Sequence, residues 1–132
     1  MKNGKKAHIL IIDDDASFCE MLRIHISSAG YWAEVAEDAV EGGKALLASR
    51  PDLIVCDVKM PFLDGFELLS LLRGDEQTAA IPVILISGRS DSEAMIKALE
   101  AGAADYLAKP ITRAVLLQSI ETSLEKYGRR QK

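Results

Sequence analysis

Three aspartates, a serine and a lysine stand where short apolar runs stop. Leu53-Ile54-Val55-Cys56 runs into Asp57, His8-Ile9-Leu10-Ile11-Ile12 into Asp13-Asp14-Asp15, Val83-Ile84-Leu85-Ile86 into Ser87-Gly88, and Ala104 to Ala108 into Lys109-Pro110. A carboxylate at the end of a buried run is expensive unless something compensates it. If these ends share one crevice, three acids repel and raise one another's pKa until a cation arrives, and one lysine undercompensates them. Oxygen ligands on loops, few of them from protein, suit Mg²⁺ better than Ca²⁺, and the contiguous Asp13-Asp14-Asp15 is not a calcium-loop pattern. A carboxylate is ionised at neutral pH and needs no general base to attack phosphorus. The cation and Lys109 would neutralise the equatorial oxygens of a transferred phosphoryl group, while Ser87 and the Gly88 amide donate to them. No Walker-type glycine loop is present, so the phosphoryl group is expected from another protein rather than directly from ATP.

The elements that must position these groups follow from periodicity and punctuation. His8–Ile12, Leu53–Asp57 and Val83–Ile86 read as strands buried on both faces. Trp32 to Ala36 alternates and is the least apolar, which suits an edge, and Ala104 to Ala108 is a short fifth strand. Ser17 with Glu20 predicts a capping box for the first helix, closed by Ala29-Gly30. Asp38 with Glu41 opens a second through about Ser49, weakened by Gly42-Gly43. A third runs from about Phe66 to Arg73, a fourth from a Ser90–Glu93 box through Ala101, and Thr112 caps the last to about Tyr127.

Five strands alternating with five helices predict an α/β fold: a doubly wound (βα)5 three-layer sandwich on a parallel five-stranded sheet, in the flavodoxin-like order 2-1-3-4-5. Ligands in such sheets bind outside the carboxyl ends of the strands, at the switch between the first and third. That rule gathers Asp13, Asp14, Asp57, Ser87 and Lys109 into one site.

At 132 residues, with 48% apolar and 27% charged side chains, the chain is one domain able to bury a core. The apolar runs are too short to span a membrane and the N-terminus lacks a signal-peptide core, so a cytoplasmic protein without membrane insertion is expected. Cys19 and Cys56 have no metal or redox spacing and read as buried thiols. The net charge of −4 hides a partition, because all 20 acids but only 9 of the 16 basic residues lie within 7–125. An acidic body argues against nucleic acid as a direct partner. Residues 1–7 are expected as a flexible leader and 128–132 as a basic tail or linker stub, flanking a domain over 8–127.

Ile9–Asp15, Asp57–Gly65, Ile84–Gly88 and Tyr106–Pro110 together resemble the receiver domain of two-component response regulators, close to the single-domain chemotaxis type. The resemblance covers essentially the whole chain. It implies a phosphorylation-controlled switch, not an enzyme, that assists only its own phosphorylation and dephosphorylation. Asp57 would take phosphate from a sensor histidine kinase or a histidine phosphotransfer protein. Asp14, Asp57 and the Lys59 carbonyl would hold Mg²⁺, with Asp13 acting through water. Ser87, Gly88, Lys109 and Lys59 would meet the phosphoryl group, Ser87 and Tyr106 would form the coupled switch, and the Lys109-Pro110 bond would be cis. The output surface would be helix 4, strand 5 and helix 5, where Met95, Ile96, Ala98 and Leu99 are read mostly as core, and it would control a protein target. A monomer or a phosphorylation-linked dimer is expected. Tyr106 also reads as a half-buried strand aromatic, and Lys59 with Arg89 as cations overlooking the site. Competing readings are a receiver-like scaffold that takes no phosphate, an aspartyl-phosphate phosphatase (which would want an acid where Lys59 stands) and a flavin-binding domain, whose phosphate Asp13-Asp14 would repel.

Overall fold

In the computed structural model, residues 6–88 and 92–127 are described. The order along the chain is β1 (His8–Ile12), α1 (Ala16–Ser28), β2 (Trp32–Ala36), α2 (Ala39–Ala48), β3 (Leu53–Asp57), α3 (Gly65–Arg73), β4 (Val83–Ser87), α4 (Ser92–Glu100), β5 (Asp105–Ala108) and α5 (Arg113–Tyr127). All neighbouring strands pair in parallel, in the order β2-β1-β3-β4-β5. Arg89, Ser90 and the segment 128–132 lie outside the described residues, as do 1–5 of the expected leader.

Alternation along the strands sorts two cores onto the two sheet faces. Ile9 and Ile11, Leu53 and Val55, Ile84 and Ile86 pack with Leu22 and Ile26 of α1 and Leu116 and Ile120 of α5. Leu10 and Ile12, Ile54 and Cys56, Val83 and Leu85 pack instead with Leu68, Leu69 and Leu72 of α3, Ala98 of α4 and, at the margin, Leu46 of α2. The central strands β1, β3 and β4 are buried at every position, as continuous apolar runs require in a sheet covered on both sides. β2 is the half-exposed edge, and Trp32 stacks on His8 with ring centroids 3.9 Å apart.

The helix starts are set locally. Asp64 and Glu67 form a reciprocal capping box that opens α3, and Asp38 accepts from the Glu41 amide to open α2. The start of α1 differs from the expected Ser17–Glu20 box. Asp15 is the cap, accepting from the Phe18 amide at 3.1 Å, and Glu20 pairs with Arg23 instead. Asp15 stands one position before the first helical residue, whereas Ser17 is already inside the helix, where its hydroxyl has no orphan amide to serve. Gly42 is less a weak helix position than a close approach, since a Cβ there would meet Ile12 Cδ1 at 2.8 Å.

Arg73 ties the far end of the sheet together. Its guanidinium donates to the carbonyls of Ala79 (3.1 Å), Ile81 (2.9 Å) and Gly102 (3.0 Å), joining the end of α3 to the approach of β4 and the exit of α4. Burial pulls its pKa below the usual arginine value, so those carbonyls replace lost water. Hydrogen bonds to a charged donor are worth about 1.5–3 kcal/mol each, less what water recovers. Arg73→Met is therefore expected to destabilise by about 2–3 kcal/mol, read as a lower urea midpoint at unchanged m value. An unchanged midpoint would show that solvent serves these carbonyls equally well.

Candidate functional site

Each polar group at the site is positioned by backbone pairing of the strand it ends. The Asp13 amide donates to Ala36 O (3.2 Å), pinning the turn after β1 to β2. The Val58 amide donates to Ile86 O and the Lys109 amide to Ser87 O, both at 2.8 Å, so β3, β4 and β5 stay in register past their last residues. β1 is flanked by β2 on one side and β3 on the other, so the crossovers leaving β1 and β3 diverge and open a crevice between their carboxyl ends.

In that crevice Asp13, Asp14 and Asp57 each offer a carboxylate oxygen, all within 4.8 Å of one another. Asp13 and Asp57 are buried and Asp14 is exposed. Lys109 Nζ lies 3.4 Å from Asp57 Oδ1. Asp13 Oδ1 accepts from the Asp15 amide at 2.9 Å, while its Oδ2 is buried with no hydrogen-bond partner. Burial pushes the Asp13 pKa up to about 6, the Asp57 and Asp14 charges push the same way, and the Asp15 amide and Lys109 offset part of it. Burial likewise raises Asp57 above the usual carboxylate range against the pull of Lys109. An orphaned, buried carboxylate oxygen beside two more carboxylates is the electrostatic deficit a divalent cation relieves. An all-oxygen donor set fits a hard ion such as Mg²⁺.

Of the other residues singled out in the sequence, Ser87 is buried at the end of β4, while Gly88 and Lys59 are exposed. Tyr106 is not half-buried: at 5% exposure it lies within the core against α3 and α4. Parity explains this, since Asp105 and Leu107 face α5 while residue 106 faces the opposite layer. The Lys109-Pro110 bond is cis. Both thiols are buried, and burial raises Cys19 to about 12.

Phe18 was legible only as an apolar helix position. Lys109 Nζ sits 4.4 Å above the centroid of its ring, so the site lysine lies between a carboxylate and an aromatic face that both favour its charge. The available signal was its place in the first turn of α1, four residues after Asp14.

The sequence and fold have known counterparts. The model of the response regulator receiver domain matches residues 9–121. A DNA-binding dual master transcriptional regulator, RpaA of Synechocystis, is 36% identical over 92% of this chain and 50% of its own length. The receiver domain of a signal transduction histidine kinase from Syntrophus aciditrophicus superposes with a TM-score of 0.82 at 35% identity, covering 91% of each chain. The Vibrio cholerae chemotaxis protein CheY4 does so at 0.85 and 29%, covering 91% of this chain and 100% of its own. The chain spans about half the length of the curated relatives it matches. With its sheet order and the groups at its strand ends, this chain belongs to the response regulator receiver domain family.

Proposed function

We propose that Asp57 is a phosphoacceptor and that the domain is a signalling switch set by its phosphorylation. The observation that carries this reading is the pairing of Asp57 with Lys109 at 3.4 Å inside a three-carboxylate cluster whose oxygens lie within 4.8 Å. An Asp57 oxygen attacks the phosphorus of a phosphohistidine on a sensor kinase or phosphotransfer protein. The O–P bond forms as the P–N bond breaks, and the electron pair stays on the imidazole nitrogen, which takes up a proton. In the reverse step water attacks the phosphorus, the Asp57 O–P bond breaks, and inorganic phosphate leaves as the carboxylate is restored.

Lys109 holds its ammonium where charge gathers on the equatorial oxygens, and Ser87 with the Gly88 amide donates to them. Asp13, Asp14, Asp57 and the Lys59 carbonyl are the groups that would hold Mg²⁺, which when bound neutralises charge on the phosphoryl oxygens. Phosphorylation draws Ser87 toward the new group, and the buried Tyr106 and α4 repack in response. The surface so altered is that of α4, β5 and α5, where Met95, Ile96 and Leu99 are 43%, 55% and 47% exposed and Val115 50%. Of the four apolar α4 residues expected mostly as core, only Ala98 is buried.

The test is intact mass after incubation with acetyl phosphate and Mg²⁺. We expect a gain of one phosphoryl group, absent without Mg²⁺ and absent in Asp57→Asn. A folded, Mg²⁺-binding chain that gains no mass from acetyl phosphate or from any histidine kinase would be a scaffold instead.

A further inference from the structure

The loop from Val58 to Gly65 leaves the acceptor strand and closes back on it, the Gly65 amide donating to Val58 O at 2.8 Å. Halfway round stands Phe62. Its φ is 69°, and the Leu63 amide donates to Pro61 O at 2.8 Å, so Phe62 is the centre of a left-handed γ-turn. This conformation is strained for any residue with a side chain, and most of all for a bulky one. Among the described non-glycine residues it is the one with positive φ. The ring is also fully exposed, at 105% relative accessibility. Neither folding nor packing calls for phenylalanine here. An exposed aromatic gains nothing from burial in the free protein.

We propose that Phe62 is the aromatic anchor on which a phosphohistidine-bearing protein docks over Asp57, an inference that rests on the phosphoacceptor reading of Asp57. Transfer requires the donor histidine to reach the Asp57 carboxylate, so the donor protein must cover this end of the sheet. An interface of ordinary size, about 800 Å² per partner, centred there is a disc of about 16 Å radius. Phe62 is four residues from Val58 and within about 14 Å of it even at full extension. The closed loop brings it nearer still, so any donor of ordinary footprint covers the ring. Residues that carry binding energy are typically aromatics that pass from water into a pocket on the partner, and strained segments collect at such working surfaces. Lys59, exposed on the same loop, adds positive charge facing a phosphorylated donor.

The test compares two donors on wild type, Phe62→Asn and Phe62→Tyr. One is acetyl phosphate, too small to use the anchor. The other is the purified sensor kinase, loaded with ATP, that phosphorylates wild type fastest among the histidine kinases of the source organism. We expect Phe62→Asn to keep the acetyl phosphate rate, because a fully exposed ring takes no packing from the acceptor pocket. Its kcat/KM with the phosphokinase should fall about thirtyfold, while Phe62→Tyr stays near wild type. Equal kinase rates in all three proteins would overturn the proposal, as would a parallel loss with both donors, which would mean the loop shapes the acceptor itself. Loss of self-association in Phe62→Asn with unchanged transfer would assign the ring to a second copy of this chain. Labelling by acetyl phosphate but by no kinase would also overturn the anchor while leaving Asp57 an acceptor, and no labelling by either donor would remove both readings.

Discussion

Gly65→Ala is expected to cost about 3 kcal/mol and to slow phosphorylation of Asp57, although helix propensity alone predicts a gain. Gly65 is the first residue of α3, and alanine is favoured over glycine within helices by up to about 1 kcal/mol. A methyl group here, however, would meet Asp57 O at 2.7 Å, Val58 Cα at 2.9 Å and Leu85 Cδ2 at 3.2 Å. Two of those atoms are backbone, one at the last residue of β3 and one just beyond it, so relief must come from moving α3 away or from displacing Asp57. Overpacking of this kind costs about 1–3 kcal/mol, and backbone obstacles place it at the upper end. Gly43 is the internal control, because its Cβ would meet nothing within 4 Å and Gly43→Ala should stabilise by about 0.5–1 kcal/mol. Urea midpoints for the two variants check both signs, and acetyl phosphate labelling of Gly65→Ala checks the displacement. If the Gly65→Ala midpoint matched wild type, the contact between α3 and β3 would be looser than its geometry.

Asp13→Asn is expected to stabilise the metal-free protein at neutral pH while weakening divalent binding at least tenfold. The sign follows from where the proton sits. In the unfolded chain Asp13 ionises near 3.8, and in the folded protein near 6. Between those values the folded state still binds a proton that the unfolded state has lost, so stability falls as pH rises through this window and levels off above it. The shift from 3.8 to about 6 corresponds to at most about 3 kcal/mol. Water at the open mouth screens part of it, leaving about 1–2 kcal/mol. Metal-free Asp13→Asn should lose the part of the downward slope above pH 4 that Asp13 supplies, keep the part due to Asp57, and melt above wild type at pH 7.5. Mg²⁺ should reverse the order, raising the melting temperature of wild type and leaving the variant nearly unmoved. Melting curves at pH 4, 5, 6 and 7.5, with and without 10 mM Mg²⁺ (a concentration of about this order is ample for a linked cation), decide it. A variant less stable than wild type at pH 7.5 without Mg²⁺ would mean that the buried carboxylate is compensated from within the chain.

The fold was readable because each central strand is a continuous apolar run that stops on a polar residue, and a parallel sheet leaves little freedom about where those stops converge. The same stops located the three carboxylates, Ser87 and Lys109. What the sequence hid was mostly choice among equivalent local options. Asp13, Asp14, Asp15 and Ser17 all satisfy the chemistry of a helix cap, and only the backbone shows that Asp15 accepts from Phe18 while Asp13 turns inward. Phe18 and Phe62 were invisible for opposite reasons. A cation over a ring joins residues 91 positions apart, and a left-handed backbone at phenylalanine contradicts the propensities from which turns are read. Glycines were ambiguous too, since residues 42 and 65 resemble helix breakers and are instead the points where helix meets strand without room for a methyl.

The alternation of the strands would give a switch at Asp57 a direction. Asp57 continues the row of Leu53 and Val55, whose side chains share a layer with α1 and α5, whereas Ser87 continues the row of Val83 and Leu85, on the side of α3 and α4. Asp57 is paired with Ile86, so Ser87 is one step past it and belongs to the other side. A hydroxyl drawn toward a group on Asp57 is therefore pulled through the plane of the sheet rather than along it. If Asp57 takes the phosphoryl group, the end of β4 would act as a lever whose short arm is the new phosphate bond and whose long arm is the layer holding Tyr106 and α4. On that reading the first displacement would fall on the layer of α3 and α4, and α5 would follow through β5, where Ser119 donates to Asp105.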